Sequence, residues 1–321
     1  MRRTLLSLFA CLTLLCAVLV AGLSTASASP AGAAPRALVG SASATSVIKA
    51  LYASWTTTFT QKWGPYGNCG VPVAQLDTAS YAALNAYSAS GGTGAYNNGS
   101  NCGRMITVAI GGTCINGDNS GGNVGKGFCV GGTVVNDAYT GATQTYQIAD
   151  SCPDYNNWCW NDRYHLDLAQ SSLGNFVKAG KVLTGLGASW NNRQVTWSYT
   201  SAPNYTGDIK IGFRKDAQRY WNSIVITHLK DGISTVQYLK DGVWRAATMS
   251  GQVGQLFTIG ATVAGGSAFQ IRAFDANGIP IKAGTSYKFS FPASLRRILH
   301  GGVHTGHLFP LASVRQDRFA V

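Results

Sequence analysis

The sequence predicts an all-β chain built from two unlike modules, on three observations. Six cysteines, Cys69, Cys102, Cys114, Cys129, Cys152 and Cys159, fall in one stretch, and residues 160–321 contain none. The charge divides at the same place: residues 37–192 hold 7 Lys/Arg and 7 Asp, whereas residues 193–295 hold 11 Lys/Arg and 5 Asp, a balance of +6. Gly makes up 39 of 321 residues, and short Val/Ile/Thr/Tyr runs recur between Gly/Asn/Asp clusters, the pattern of strands joined by tight turns. A neutral, cross-linked half followed by a basic half points to chemistry in the first and adhesion in the second.

Residues 1–28 read as an export signal. Arg2 and Arg3 precede an apolar run from Leu5 to Leu23, and Ala26-Ser27-Ala28 supplies small residues for cleavage. The mature protein is therefore expected to be secreted and extracellular, with no membrane span after signal removal. Cys11 and Cys16 leave with the signal, and the even six that remain imply three disulfides in an oxidising compartment, with 15 possible pairings. No C-x-x-C pair occurs, which argues against zinc. Neither a metal nor a cofactor is expected, and a monomer is.

Residues 29–46, rich in Ala, Ser, Pro and Gly, are expected to be a flexible lead-in. Residues 47–192 form the first domain and residues 193–293 the second. The tail, residues 294–321, has no strand alternation and reads as a disordered basic segment, although it holds His300, His304 and His307. Helix is expected in two places, residues 77–87 (DTASYAALNAY) and residues 167–178 (DLAQSSLGNFVK), each opened by an Asp suited to capping. From about Val195 the runs VTWSY, DIKIGF, SIVITHL, VQYL, QLFTIG, FQIRAF and YKFSF, with turns at KDG, KDG and ANG, predict a small antiparallel β-sandwich.

The chain contains no glutamate, so carboxylate chemistry falls to its 13 aspartates. Most sit in turns, as in NGDNS, KDG and FDANG, where Asp is a routine turn residue. Two stand apart. Asp150 ends the strand-like run TYQIA, and Asp167 lies in HLDL between two leucines. Asp167 with Gln170 also fits a helix-capping box. A carboxyl group partly desolvated by apolar flanks has its pKa raised and donates a proton or hydrogen bond more readily.

The order Thr58-Phe59-Thr60, Asp150 at a strand end and His165-Leu166-Asp167-Leu168 resembles the first domain of expansins. That resemblance implies a six-stranded double-psi β-barrel with Thr58, Thr60, Asp150 and Asp167 lining a polysaccharide groove, Asp167 being the group that wall loosening requires. Expansins of bacteria usually carry an aromatic two residues after the first Asp, and this chain has Cys152 there. Tyr155, Trp158 or Trp160 in CPDYNNWCW is expected to supply that contact instead, with Cys152 and Cys159 closing a small loop. The segments FRKDAQRYWNSIVI and VQYLKDGVW resemble the second expansin domain, an immunoglobulin-like carbohydrate-binding module. By that resemblance Tyr220 and Trp221 form a stacking platform beside Arg214, while the third platform aromatic is replaced near Gln252. Trp244 is expected in the core, and Lys215, Arg219, Lys230 and Lys240 on a basic face.

Glycoside hydrolysis needs two carboxyl groups flanking the bond, roughly 6.5–9.5 Å apart for inversion. The expansin barrel is similar to that of the family 45 glycoside hydrolases, and that resemblance implies a base on the first barrel strand, where this chain reads WTTTFTQKWGPYG and has no acid. The expected function is thus non-hydrolytic: binding of cellulose, xyloglucan or acidic wall polymers, and loosening of glucan packing around Asp167. Two alternatives differ in class, an inhibitor of papain-like proteases built on a single double-psi barrel and a lytic transglycosylase acting on peptidoglycan. Basic charge also invites nucleic acid, but no nucleic-acid-binding motif appears and export excludes that partner.

Overall fold

The computed structural model describes residues 67–71, 75–86, 94–119, 128–152, 159, 162–190, 192–214, 217, 220, 222–250 and 253–291, and as backbone residues 38–45 and 315–317. These residues are strands joined by turns and short 3-10 segments, in one mixed sheet and two antiparallel ones. Among the described residues no helix is long and apolar enough to cross a membrane. The expected signal segment lies outside them.

The first domain is a closed barrel. Its strands are β1 (Leu38–Thr45), β2 (Tyr81–Asn85), β3 (Met105–Ile115), β5 (Thr143–Cys152), β6 (Leu166–Ala169) and β9 (Arg193–Thr200). Pairing runs β3-β9-β1-β6-β2-β5 and returns from β5 to β3, so the ring closes on six strands as expected. β1 lies parallel to β6 and β2 parallel to β5, while the other pairs are antiparallel. Short β4 (Thr133–Val135) extends β3, and the hairpin of β7 (Val177–Lys178) and β8 (Lys181–Val182) hangs from β5. The inside is filled by Leu84, Ile106, Val108, Tyr146, Ile148, Leu166, Leu168, Val195 and Trp197, contributed by alternate positions of the strands.

Four expectations are corrected here. The lead-in is not wholly free, because residues 38–45 supply a strand whose backbone groups pair on both sides, with β6 and with β9. Residues 77–87 hold β2 rather than a helix. Ala82 and Leu84 face the barrel core while Ala83 is buried on the opposite face, and a short strand buried on both faces cannot be told from a helix by its apolar pattern. Residues 167–178 hold the end of β6 and a 3-10 segment, Gln170–Asn175, with no side-chain cap at its start. VTWSY, read as the first sandwich strand, belongs to β9 and closes the barrel.

The second domain is a sandwich of two sheets. One has the order β10-β11-β15-β14, from β10 (Lys210–Phe213), β11 (Asn222–Thr227), β14 (Thr248–Ser250) and β15 (Val253–Ile259). The other has the order β13-β12-β16-β17-β18, from β12 (Thr235–Lys240), β13 (Val243–Ala246), β16 (Ala268–Phe274), β17 (Ser286–Ser290) and β18 (Arg315–Asp317). Ile211, Phe213, Ile224, Ile226, Val236, Phe257, Phe269, Ile271 and Phe289 meet between the sheets. Of the tail expected to be disordered, Arg315–Asp317 is paired with β17 and lengthens that sheet. Trp244, expected in the core, is half-buried and lies under the Arg272 guanidinium, 4.6 Å from the ring centroid.

Barrel and sandwich meet along an apolar seam. Val71 and Leu76 of the barrel pack on Val225, Val253 and Leu256, and the Gln255 N–H donates to the Cys69 carbonyl oxygen at 3.3 Å. Gly254 is required at this contact, since a Cβ there falls within 1.9 Å of the Gly99 carbonyl oxygen and 2.6 Å of Cys102. The disulfides pair Cys69 with Cys102, Cys114 with Cys129 and Cys152 with Cys159. The first therefore anchors the seam, and the last closes the small loop expected of it.

Candidate functional site

The barrel register places the two singled-out aspartates in one row. Ala83 in β2 stands opposite Asp167 in β6 on one side and opposite Asp150 in β5 on the other. Directly opposed residues share a face. Leu166 and Leu168 point into the core, so Asp167 and Ala83 project outward with Cys152, Cys159 and Tyr81 around them. Asp150 joins that face because the register slips: Ala82 pairs with Ile148 but Ala83 with Asp150, leaving Ala149 as the extra residue. An inserted residue of this kind re-aims the next side chain.

The two carboxyl groups are held differently. Asp150 is 0% exposed. Its Oδ1 accepts the backbone N–H of Asn68 at 2.6 Å and of Ser151 at 2.9 Å, and Oδ2 has no hydrogen-bond partner among the described residues. Burial drives its pKa well above the usual carboxylate value; the two N–H bonds oppose this and the Asp167 charge adds to it. Asp150 is thus a sealed group whose protonated form is favoured by burial. Asp150, expected to line the groove, is buried here, and the covering residues give the reason. A Cβ on Gly67 would fall 2.4 Å from the Ala149 carbonyl oxygen and 2.7 Å from the Asp150 carboxyl carbon, so the Gly67-Asn68 turn lies directly on that side chain.

Asp167 keeps 9% of its side chain exposed. Its Oδ1 lies 3.0 Å from Nε2 of His165, a fully buried ring, and Oδ2 touches the Cys159 sulfur at 3.7 Å. That sulfur is in a disulfide and has no proton to give. Cys152, Cys159 and Asp167 offer atoms within 4.8 Å of one another, yet disulfide sulfurs are not the thiolates a metal takes. Nearby, Asn85 donates through Nδ2 to the carbonyl oxygens of Cys159 and Asp162, fixing the segment that leads into β6. Tyr96 donates its hydroxyl to the Asn68 carbonyl oxygen at 3.0 Å, and burial, then the Asp150 charge, raises the pKa of both Tyr96 and Tyr81.

Sequence reasoning missed His165 and the turn at Gly67 and Asn68. His165 was legible, because a residue two before Asp167 on a strand shares its face. The contacts of the turn to Asp150 span 82 positions and leave no local signal. Thr58, Thr60, Tyr155, Trp158 and Trp221 lie outside the described residues.

On the sandwich, Tyr220 is 86% exposed and stands shortly before β11. Arg214 follows β10 directly, half-buried, and its N–H donates to the Ser223 carbonyl oxygen at 2.8 Å. Both therefore sit at one end of the β10–β11 pair. Lys230 is exposed and Lys240 half-buried.

No family model matches the chain, and no curated protein matches it in sequence. Among solved structures it is similar to the ligand-free expansin of Clavibacter michiganensis, at 15% identity and a TM-score of 0.46, over 77% of this chain and 89% of that one. It is also similar to a point mutant of that expansin in complex with cellohexaose, at 15% identity and a TM-score of 0.45 over the same shares. At this identity the likeness concerns fold alone.

Proposed function

We propose that this chain is an exported, expansin-like protein that binds cell-wall polysaccharide through both domains and loosens glucan packing without cutting it. One observation carries the reading: of the two carboxyl groups in the outward row of the barrel, Asp167 alone retains exposure. A hydrolase needs an acid and a second carboxylate able to activate water. Asp150 does not present a carboxylate to water there, being fully buried and engaged by two backbone N–H groups. A largely buried carboxyl beside His165 that keeps an edge to solvent can exchange hydrogen bonds with sugar hydroxyls, and so compete with bonds between neighbouring glucan chains. The exposed Tyr220 ring on the sandwich offers a flat face for sugar stacking, and the excess of Lys/Arg in that half favours acidic polymers.

The test compares wild type, Asp167→Asn and Tyr220→Ala on cellulose, xyloglucan and pectin, with cellohexaose as soluble probe. Wild type should be retained and should weaken cellulose sheets without releasing reducing ends. Asp167→Asn should be retained but not weaken them, and Tyr220→Ala should lose retention on neutral polymers at high salt. Release of soluble sugar at an enzymatic rate would overturn the reading.

A further inference from the structure

One histidine at the seam stands apart from the groups named above for polysaccharide binding, and both its ring nitrogens face acceptors. His228 follows β11 with a left-handed backbone, φ 56°. Its ring is one-fifth exposed, and both nitrogens face acceptors: Nδ1 lies 2.9 Å from Oδ1 of Asp77, and Nε2 lies 2.6 Å from the Thr206 carbonyl oxygen. Neutral imidazole carries one N–H and would set a lone pair against one of those oxygens, whereas imidazolium donates to both. Tyr205 stacks on the ring, centroids 4.8 Å apart at 25°, and its hydroxyl donates to the His228 carbonyl oxygen at 3.2 Å.

The two sides of this cluster come from different domains. Asp77 leads into β2 of the barrel, where its N–H donates to Gln147 Oε1 at 2.9 Å. Tyr205, Thr206 and His228 flank β10 and β11 of the sandwich. Among the described residues the rest of the seam is apolar or neutral amide, and Arg104, within electrostatic reach of Asp231 and Asp275, is a further charged group beside it. A guanidinium does not lose its proton in the physiological range. Around the ring, Tyr205 is held near 12 by burial, then by Asp208, Asp77 and Asp231, so it stays neutral and keeps donating. Asp208 is itself engaged by Lys282 at 2.9 Å and by the Tyr287 hydroxyl at 2.8 Å.

We propose that His228 and Asp77 form a pH-sensitive latch that holds the barrel against the sandwich while His228 is protonated, and loosens the seam as it deprotonates. Histidine is the side chain whose charge ordinarily changes between about pH 5 and 8. Loss of the proton removes a donor from one of two bonds, and with it the cross-domain ion pair.

The experiment is hydrogen exchange on the full chain at pH 5 and pH 8, corrected for intrinsic exchange, reading the Gln255 amide that bridges the seam, with ring nitrogen shifts of His228 followed in parallel. Protection of Gln255 in wild type should fall about tenfold between the two values, the size of a lost charged hydrogen bond. His228→Gln should show the lower protection at both, and Asp77→Asn a much reduced pH dependence. Wild type and His228→Gln sharing one pH dependence would overturn the latch, as would Asp77→Asn behaving like wild type.

Discussion

Asp150 and Asp167 are the same residue type in one outward row, and their surroundings divide them. Asp150 meets two backbone N–H groups and is closed to solvent, while Asp167 meets a histidine and the edge of solvent. A raised folded-state pKa makes the protonated form the stable one, so Asp150 supports folding fully below its unfolded value near 4 and loses that support as pH rises toward the higher folded value. Asp150→Asn keeps an oxygen for both N–H groups and cannot ionise. Urea unfolding should find it gaining on wild type between pH 4 and 7; a gap that shrinks with rising pH contradicts the assignment. The pair was legible as motif residues in the sequence, and HLDL even held His165. Which of the two carboxyl groups meets solvent was not, because the turn that seals Asp150 comes from a distant part of the chain.

At the scale of elements, β2 shows where local pattern fails. YAALN has the composition of a helix, and it becomes a strand because β5 and β6 supply hydrogen-bonding partners on both edges. The slip that leaves Ala149 unpaired then sets the face of Asp150, and Gly67 permits the turn that covers it. Gly67→Ala pushes a methyl group into backbone, with little room for relief. Chemical denaturation should record a loss of about 1–3 kcal/mol, together with exchange of the Asn68 amide as its bond to Asp150 lengthens. Neutral stability would mean the turn moves freely and does not seal the carboxyl. The sandwich strands were readable from short apolar and aromatic runs between turns, even β11, which is buried at every position. The exception is β9, whose runs alternate equally well for either domain and which the barrel claims through β1 and β3.

For the molecule as a whole, the seam joins the domains into one unit. Leu256 is a good probe because it is buried against Val71 from across the boundary while its neighbours Gln255 and Phe257 serve other contacts. Leu256→Ala should cost about 2–5 kcal/mol and split a single calorimetric transition into two, the barrel retaining its disulfides and the sandwich melting first. A single transition with an unchanged midpoint would show that the domains are independent.

By itself the sequence determined that this is a β chain of two modules, with cysteines confined to one, positive charge to the other, and no glutamate anywhere. Those are properties of composition and short-range alternation, which a linear chain carries in full. Tertiary structure alone decided the closure of the barrel through residues 38–45 and β9, the pairing of Cys69 with Cys102 and of Cys114 with Cys129, the sealing of Asp150 and the meeting of Asp77 with His228. Each of these depends on groups far apart in sequence, and their energy arises only when folding removes water between them.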